Sequence, residues 1–330
     1  MTNKKQQIFG FVLLFAAAVV WGFAFPMQSA AAVYVGPFTL NGIRCLVGGL
    51  FLIPCIMLFD RKSGRRLLDP SQKGMKKIGV TRREWIGGVL CGVVLCIAIN
   101  FQQFGIAGEE TDSGKAAFIT ALYVVLVPLL NLFSGKRPRP LVWACIFLAL
   151  VGFYLLSAPI VMTEPGLSGF FKAVASGGFR FALSDILVFI CAVIFSVHVL
   201  VIDRFSEGTD GVRMSAIQFL TAGLLSLPLM LFFESPVLAD ILAAALPILY
   251  LGILSSGFGY TAQIVGQKYV DVAIAPMVLS LESVFGVIGG ALLLNESKTV
   301  WQIIGCGIVF AAVILVQLPQ KREPRACTKE

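Results

Sequence analysis

Charged residues are scarce in this chain. They make up 13% of its 330 residues, whereas 58% of the residues are hydrophobic. A soluble domain carries about 25% charged and about 45–50% apolar residues. Together with a mean hydropathy of +0.89, this composition excludes an ordinary soluble globular domain.

Histidines and patterned cysteines are also nearly absent. His198 is the one histidine, which excludes an H-E-x-x-H motif and a zinc cluster built from histidines. The eight cysteines include no C-x-x-C pair, and seven of them lie in apolar runs. Small buried hydrophobes are the expected role of such cysteines. We therefore expect no metal and no other cofactor.

Nucleotide-binding and catalytic motifs are lacking as well. The stretch GEETDSGKA (108–116) superficially resembles a Walker A loop, but its spacing is one residue too long and Ala116 replaces the required Ser or Thr. The chain therefore has no nucleotide-binding loop, and if it moves a solute against a gradient, the energy has to come from gradients of ions or substrate. An intramembrane enzyme would need a nucleophile with its base, or a metal constellation. A single histidine and no paired Asp motif argue against one, so we expect that the chain is not an enzyme.

The chain instead contains ten apolar runs of roughly 20 residues, the length at which a helix crosses about 30 Å of hydrocarbon. Lipid admits only helices or closed barrels, and barrel strands would alternate over about ten residues. The runs therefore predict an all-α polytopic membrane protein with ten transmembrane helices. We call them segments 1 to 10, and they cover Ile8–Met27, Gly36–Phe59, Trp85–Gly105, Ser113–Phe133, Leu141–Ser157, Ser184–Ile202, Val212–Phe233, Ile241–Gln267, Val272–Leu294 and Val300–Leu318.

Lysine and arginine are distributed unevenly between the two sides of these segments. With the N-terminus in the cytoplasm, 21 of the 26 basic residues are cytoplasmic and 4 are external, while Arg44 lies inside segment 2. The positive-inside rule then predicts a cell (inner) membrane protein with both termini cytoplasmic. The basic stretch 61–83 is interpreted as a topology determinant, with contact to anionic lipid head groups as the alternative. This distribution accounts for the net charge of +8, so no nucleic-acid partner is expected.

The two halves of the chain resemble each other weakly but in order. Matched residues are Trp21 with Phe195, Arg44 with Gln218 and Pro54 with Pro228 at an offset of 174, Gln103 with Gln263 at 160, and Tyr123 with Glu282 at 159. Because each half holds five segments, an odd number, the second half enters the membrane from the opposite side. This pattern predicts two inverted five-helix repeats, an architecture of secondary transporters that hold substrate near the midplane.

Glu282 lies near the middle of segment 9, where a carboxylate costs about 3 kcal/mol or more. It should therefore face the interior of the bundle and have a partner. Gly286 and Gly290 share its helix face and leave room for a close helix or for a cavity. Two roles stay open for Glu282. It lines a transport cavity, where it would titrate with the cycle and bind a coupling proton, or it ties helices together as a protonated or hydrogen-bonded acid.

Arg44 is a second charged side chain deep within a segment, about eight residues inside segment 2. An arginine cannot escape the cost of burial by deprotonation. Three partners are considered. Arg44 pairs with helix carbonyls or snorkels outward, it binds a carboxylate or phosphate of the substrate, or it pairs with Glu282.

Other polar and aromatic residues form stripes at helical spacing, such as Ser256, Tyr260, Gln263 and Gln267 in segment 8. Helix–helix hydrogen bonding is the alternative role for each of them. For Trp21 the alternative is an anchor at the membrane interface, and for His198 it is a packing histidine rather than a proton relay. Counting Glu282 and Arg44, the predicted substrate-binding residues are Trp21, Arg44, Asn100, Gln103, Tyr123, His198, Tyr260, Gln263 and Glu282.

Four motifs, in order, resemble the EamA type of the drug/metabolite transporter superfamily. The first two are WGFAF (21–25), like its tryptophan-glycine signature, and LNGIRCLVGGLFLIP (40–54), with its characteristic arginine. The others are AAFITALYVVLVPLL (116–130) and LSLESVFGVIGGALLLNES (279–297). In the last motif Ser283 replaces the usual proline, so a kink supplied by that proline is not expected.

The resemblance implies ten helices in two inverted repeats, and export or exchange of small metabolites by alternating access. Residues 1–157 and 184–319 would form the repeats, 158–183 an external connecting loop and 320–330 a cytoplasmic tail. From resemblance alone, export of an amino acid or a related compound is the first function expected. The expected partners are this small-molecule substrate and membrane lipid, and a channel is the alternative.

Overall fold

The computed structural model describes residues 4–62, 80–108, 113–133, 138–157, 182–294 and 300–317. All regular secondary structure in these ranges is helical. Within the described ranges, eight helices are long and apolar enough to cross a membrane, and two shorter apolar helices cover Pro140–Phe153 and Val300–Val316. The predicted all-α polytopic class is therefore confirmed. Parts of the basic stretch (63–79), of the connecting loop (158–181) and of the tail (from 318) lie outside the described residues.

Seven segments are uninterrupted α-helices. Several extend beyond the predicted apolar runs because polar residues continue or cap the helix. Segment 3, for example, starts with a capping box in which Thr81 Oγ1 accepts from Glu84 N and Glu84 Oε2 accepts from Thr81 N. The bounds of segments 1, 2, 3, 5, 6, 7 and 10 are Lys4–Ala32, Pro37–Lys62, Arg82–Ile106, Pro140–Ser157, Leu183–Ser206, Gly211–Phe233 and Val300–Gln317.

The other three segments, expected to be continuous, are interrupted. Segment 4 consists of Ser113–Thr120 and Tyr123–Phe133, and segment 9 of Ala275–Leu279 and Glu282–Leu293. In segment 8 a short helix, Leu238–Ala243, precedes Ala245–Leu249, a π-helix over Tyr250–Tyr260 and an α-helix over Thr261–Gln267. Apolar length does not report such changes, since each part remains hydrophobic.

Contacts between segment ends show which ends meet. Asp60, at the end of segment 2, binds Arg213 at the start of segment 7. Glu84, in the first turn of segment 3, accepts from the backbone N–H of Asp210, just before segment 7. Lys268, after segment 8, donates to the loop between segments 6 and 7. Segments 1, 3 and 7 therefore begin at one end of the bundle, the first face, and segments 2, 6 and 8 begin at the opposite end, the second face.

Packing between the two halves of the chain is reciprocal. Segment 1 packs on segments 8 and 9, and segment 6 packs on segments 3 and 4 in the same way. Segment 2 contacts segment 8 as segment 7 contacts segment 3. The remaining cross-half pairs join equivalent segments: 2 with 7, 4 with 9 and 5 with 10. Exchanging the halves thus leaves this set of contacts unchanged.

The outside of the bundle is apolar and the inside holds polar groups. Large hydrophobic side chains such as Phe133 and Phe232 are 91% and 84% exposed. By contrast, Asn41, Gln103 and Glu282 are buried. This reversal of the usual pattern is what hydrocarbon favours, because lipid cannot satisfy polar groups.

Candidate functional site: a central polar cavity

A narrow cavity lies between segments 1, 2, 3, 4, 6, 8 and 9. Its free space is about 30 Å³, enough for about two or three waters, so a metabolite requires it to widen. Segments 5, 7 and 10 contribute none of the described lining residues. The lining consists of Trp21, Ala24, Phe25, Gln28, Arg44, Gln102, Thr120, Tyr123, Phe195, Val199, Ser255, Tyr260, Gln263, Leu279 and Glu282.

The interruptions of segments 4 and 9 lie at this cavity and have the same hydrogen-bond register. In segment 4, Val124 N donates to Ala121 O at 3.0 Å, an i to i−3 bond. At an offset of 159, Ser283 N donates to Ser280 O at 3.1 Å in segment 9. Leu122 N to Ile119 O and Leu281 N to Val278 O are a second matched pair of such bonds. Both breaks are therefore short 3₁₀ turns within apolar helices, a feature that often marks a functional hinge.

These steps set the positions of the two key polar side chains. Tyr123 is the first residue of the second half of segment 4, and Glu282 is the first residue of the second half of segment 9. An acid in the first turn of a helix interacts favourably with the helix dipole. The two residues preceding these turns, Thr120 and Leu279, also line the cavity.

The break in segment 9 forms without the proline usual in the family. Ser283 Oγ donates to Ser280 O at 2.7 Å, and the Ser283 backbone N–H donates to the same carbonyl. The side chain thus reinforces the turn that moves this N–H away from the α-helical acceptor, Leu279 O. A local hydrogen bond at Ser283 thus holds the turn without the constraint of a proline ring.

Several polar atoms in the cavity make no hydrogen bond of regular geometry among the described residues. They are Gln28 Oε1, Arg44 Nε, Tyr123 Oη, Gln263 Oε1 and Glu282 Oε1. Buried polar atoms in proteins are nearly always paired with protein or water. These unpaired atoms are therefore the groups that a bound molecule would satisfy.

Arg44 and Glu282 both face this cavity and are buried, at 5% and 4% exposure. They form no ion pair with each other within the described ranges. Of the three partners considered for Arg44, pairing with Glu282 is thus not what the structure shows. One cavity presents a cation and an acid that do not neutralise each other.

Aromatic rings cover one side of the cavity. Trp21 and Tyr260 lie with ring centroids 4.5 Å apart, and Phe195 stacks on Tyr260 at 6.4 Å. Trp21 Nε1 donates to Ser255 O at 3.3 Å. Trp21 is 8% exposed and lines the cavity, so its ring faces the inside of the bundle.

The π-helix of segment 8 changes which of its residues face the cavity. An α-helical stripe predicted Ser256 together with Tyr260 and Gln263. The structure instead places Ser255 beside Tyr260 and Gln263 in the lining. Hydrogen bonds of a π-helix join residues five apart, so Ser255 and Tyr260 lie one turn apart on the same face.

Three of the predicted site residues lie outside the lining. Asn100 accepts from Asn41 Nδ2 at 3.0 Å, and Gln103 donates to Gln28 O at 3.3 Å. His198 Nε2 lies 3.0 Å from Gln218 Oε1, and its ring packs edge-on against Tyr260. These contacts tie helices together, as the alternative reading of each residue has it. Their substrate-binding role stays a prediction.

Nine lining residues were not among the predicted set: Ala24, Phe25, Gln28, Gln102, Thr120, Phe195, Val199, Ser255 and Leu279. Phe195 was detectable, because it is the repeat equivalent of Trp21. Gln102 and Gln103 are adjacent, and periodicity alone cannot tell which of two neighbouring glutamines faces a cavity. Gln102 Nε2 donates to Thr120 Oγ1 at 3.3 Å, which links segments 3 and 4 at the lining.

Comparison with known proteins agrees with this architecture. Residues 8–158 and 182–318 both match the EamA-like transporter family. The chain belongs to this family. An uncharacterized transporter from Archaeoglobus fulgidus is 25% identical over 316 residues, which cover 95% of this chain and 87% of that protein. A protein of known crystal structure aligns with a TM-score of 0.67 at 21% identity, over 94% of this chain and 98% of its own, and shows the fold alone.

Membership in this family identifies an integral membrane transporter. The matches cover nearly the whole of both halves of the chain, so the transporter character does not rest on one local motif. Transporters of this kind are usually not enzymes. The family does not specify the substrate or the direction of transport, which depend on the lining of the cavity in the individual protein.

Proposed function

We propose that this chain is a secondary transporter that exports an amino acid or a related small zwitterion by alternating access. One observation carries the proposal: Arg44 and Glu282 line the same buried cavity and do not pair with each other. A zwitterion supplies an anion for the guanidinium and a cation for the carboxylate. Bound substrate would then compensate two buried charges that are costly alone.

The remaining unpaired atoms support a substrate with an ammonium group. The side-chain oxygens of Gln28, Gln263 and Glu282 are acceptors, and Tyr123 Oη can also accept. An ammonium group has three N–H donors and requires such acceptors. The rings of Trp21 and Tyr260 offer an apolar surface for the substrate side chain.

The proposed architecture is two inverted five-helix repeats. Opposite directions of segments 2 and 7, reciprocal packing of the halves and matched breaks in segments 4 and 9 support it. The repeats would cover residues 1–157 and 184–319, and each overlaps all but one or two residues of one family match. The small cavity fits a contracted state, from which either face would open in turn.

Orientation follows from the basic residues. Of the 26 lysines and arginines, 21 fall on the side of the N-terminus, which assigns the first face to the cytoplasm. Glu282 would bind a coupling proton and substrate in different steps, so that a proton gradient drives export. A channel is the second candidate, and it would need a path that is open at both faces at once.

Counterflow into proteoliposomes tests the proposal. Purified protein is reconstituted into liposomes, and the liposomes are loaded with one of a panel of amino acids, amides and amines. Uptake of the labelled compound is then measured with and without a proton gradient. Saturable counterflow of zwitterions, changed by the gradient, is expected. Absence of counterflow for every zwitterion refutes the substrate class, and steady conductance in a planar bilayer identifies a channel.

A further inference from the structure

Segments 2 and 7 are tied together at both of their ends. At the first face, Arg213 donates to both carboxylate oxygens of Asp60, at 3.0 and 2.8 Å. At the second face, the Glu234 carboxylate accepts from Phe38 N, Thr39 N and Thr39 Oγ1 at 2.6–2.9 Å. A carboxylate at the end of one helix therefore binds the beginning of the other, once at each face.

The two end contacts are equivalent in the repeat. An offset of 174 residues carries Asp60 onto Glu234 and Thr39 onto Arg213. It is the same offset that relates Arg44 to Gln218 and Pro54 to Pro228. The partner chemistry differs, with a guanidinium at one end and backbone N–H groups with a hydroxyl at the other. The positions that meet are nevertheless the same.

Near the middle of the helix pair, each helix also approaches the backbone of the other at a glycine, and the two glycines are repeat equivalents. A methyl group added at Gly49 would lie 3.1 Å from the backbone nitrogen of Leu220. A methyl group added at Gly223 would lie 3.0 Å from that of Leu46. The offset of 174 again relates Gly49 to Gly223 and Leu46 to Leu220. The two glycines therefore allow a close approach of the helices on both sides of one pseudo-twofold axis.

From this we infer that segments 2 and 7 form a fixed pivot, about which the rest of the two halves moves during transport. The inference rests on the proposed alternating access. When inverted repeats exchange conformations, a contact made in one half is replaced by its repeat equivalent in the other. A contact between specific residues that is present in both equivalent places can therefore persist through the exchange, whereas a contact present in one place only is broken.

The location of the pair supports a pivot rather than two gates. Asp60, Arg213, Glu234 and Thr39 lie outside the cavity lining, and segment 7 contributes none of the described lining residues. Segment 2 contributes Arg44 alone. A gate residue would adjoin the cavity, and none of these four residues does.

Reversible cross-linking of the pair tests the inference. The experiment starts from a variant whose native cysteines are replaced and which retains transport. In it, two double variants are made: Asp60→Cys with Arg213→Cys, and Thr39→Cys with Glu234→Cys. A short bifunctional methanethiosulfonate joins each pair, and a reductant releases it. Because rigid-body motion leaves a pivot intact, cross-linking at either end is expected to lower counterflow by less than about twofold.

The matched control joins segments 1 and 8, which both line the cavity. Phe9 and Tyr269 lie at the first face with ring centroids 6.1 Å apart. Cross-linking Phe9→Cys to Tyr269→Cys is expected to lower counterflow by about tenfold or more, since that face can then not open. A similar, reductant-reversible loss on cross-linking segments 2 and 7 at either end would refute the pivot.

A second readout does not depend on a known substrate. Ala24 lines the cavity, and Ala24→Cys is labelled with an impermeant maleimide from each side of the membrane. Labelling from both sides is expected before and after segments 2 and 7 are cross-linked. One-sided labelling already before cross-linking contradicts the proposed alternating access, whereas one-sided labelling that appears after cross-linking contradicts the pivot.

Discussion

Tyr123 and Glu282 occupy the same place in two interrupted helices, each as the first residue after a 3₁₀ step. Both side chains line the central cavity and interact with each other there, although Tyr123 Oη and Glu282 Oε1 make no hydrogen bond of regular geometry among the described residues. One half of the chain thus presents a phenol where the other presents a carboxylate. The cavity is consequently asymmetric in charge although the backbone around it is nearly symmetric.

Glu282→Gln is expected to lower counterflow of zwitterions about tenfold or more while the protein remains folded in the membrane. The amide keeps the shape and the hydrogen-bonding capacity of the side chain but removes the charge that pairs with an ammonium group. Counterflow and thermal unfolding of the purified protein are measured together. Glu282→Asp, which keeps the charge, serves as the control. Wild-type counterflow in Glu282→Gln would remove the charge from the mechanism.

Arg44→Gln is expected to change selectivity more than overall fold. If the guanidinium binds a carboxylate, the wild type should prefer an amino acid over its neutral amide by about 100-fold, and the variant by less than about tenfold. Competition of the two compounds in counterflow measures the preference. An unchanged preference in Arg44→Gln would show that Arg44 does not read the substrate carboxylate.

Trp21 contributes a ring to the cavity and a hydrogen bond to Ser255 O. Trp21→Phe keeps an aromatic ring but loses the N–H donor, which should lower the free energy of unfolding by about 1 kcal/mol. Trp21→Ala loses both and should raise the KM of counterflow about tenfold. The two variants are compared with substrates of increasing side-chain size. Equal KM values for wild type and Trp21→Ala would exclude contact between this ring and the substrate.

Ser283→Pro is expected to be tolerated, with a loss of stability below about 1 kcal/mol. Proline would remove the two hydrogen bonds that Ser283 donates to Ser280 O. It breaks no α-helical bond to Leu279 O, however, and its ring fixes the backbone at a turn that already exists. Val287→Pro, one turn later within the regular helix, should cost about 3 kcal/mol or more. Thermal unfolding in detergent compares the two. Similar destabilisation by both prolines would contradict the break at Ser280.

The sequence located the helices well because segment length and apolar character are properties of single stretches. It also identified the repeat equivalents Trp21 and Phe195 and the polar pair Arg44 and Glu282, all of which line the cavity. The sequence was less informative about which side chains of a helix face the cavity. Gln102 rather than Gln103, and Ser255 rather than Ser256, face the cavity. A one-residue difference rotates a side chain by about 100° in an α-helix, and a π-helix or a 3₁₀ step shifts that angle again.

The amino-acid sequence by itself determined that this chain lies in a membrane as a bundle of helices, because hydrocarbon tolerates few backbone conformations and demands a minimum apolar length. It also determined the correspondence between the two halves of the chain. Only the tertiary structure decided that Arg44 and Glu282 share one cavity without pairing, and that segments 2 and 7 are joined at both ends. Those relations join residues up to about 240 positions apart, and they depend on how helices pack, which local pattern does not encode.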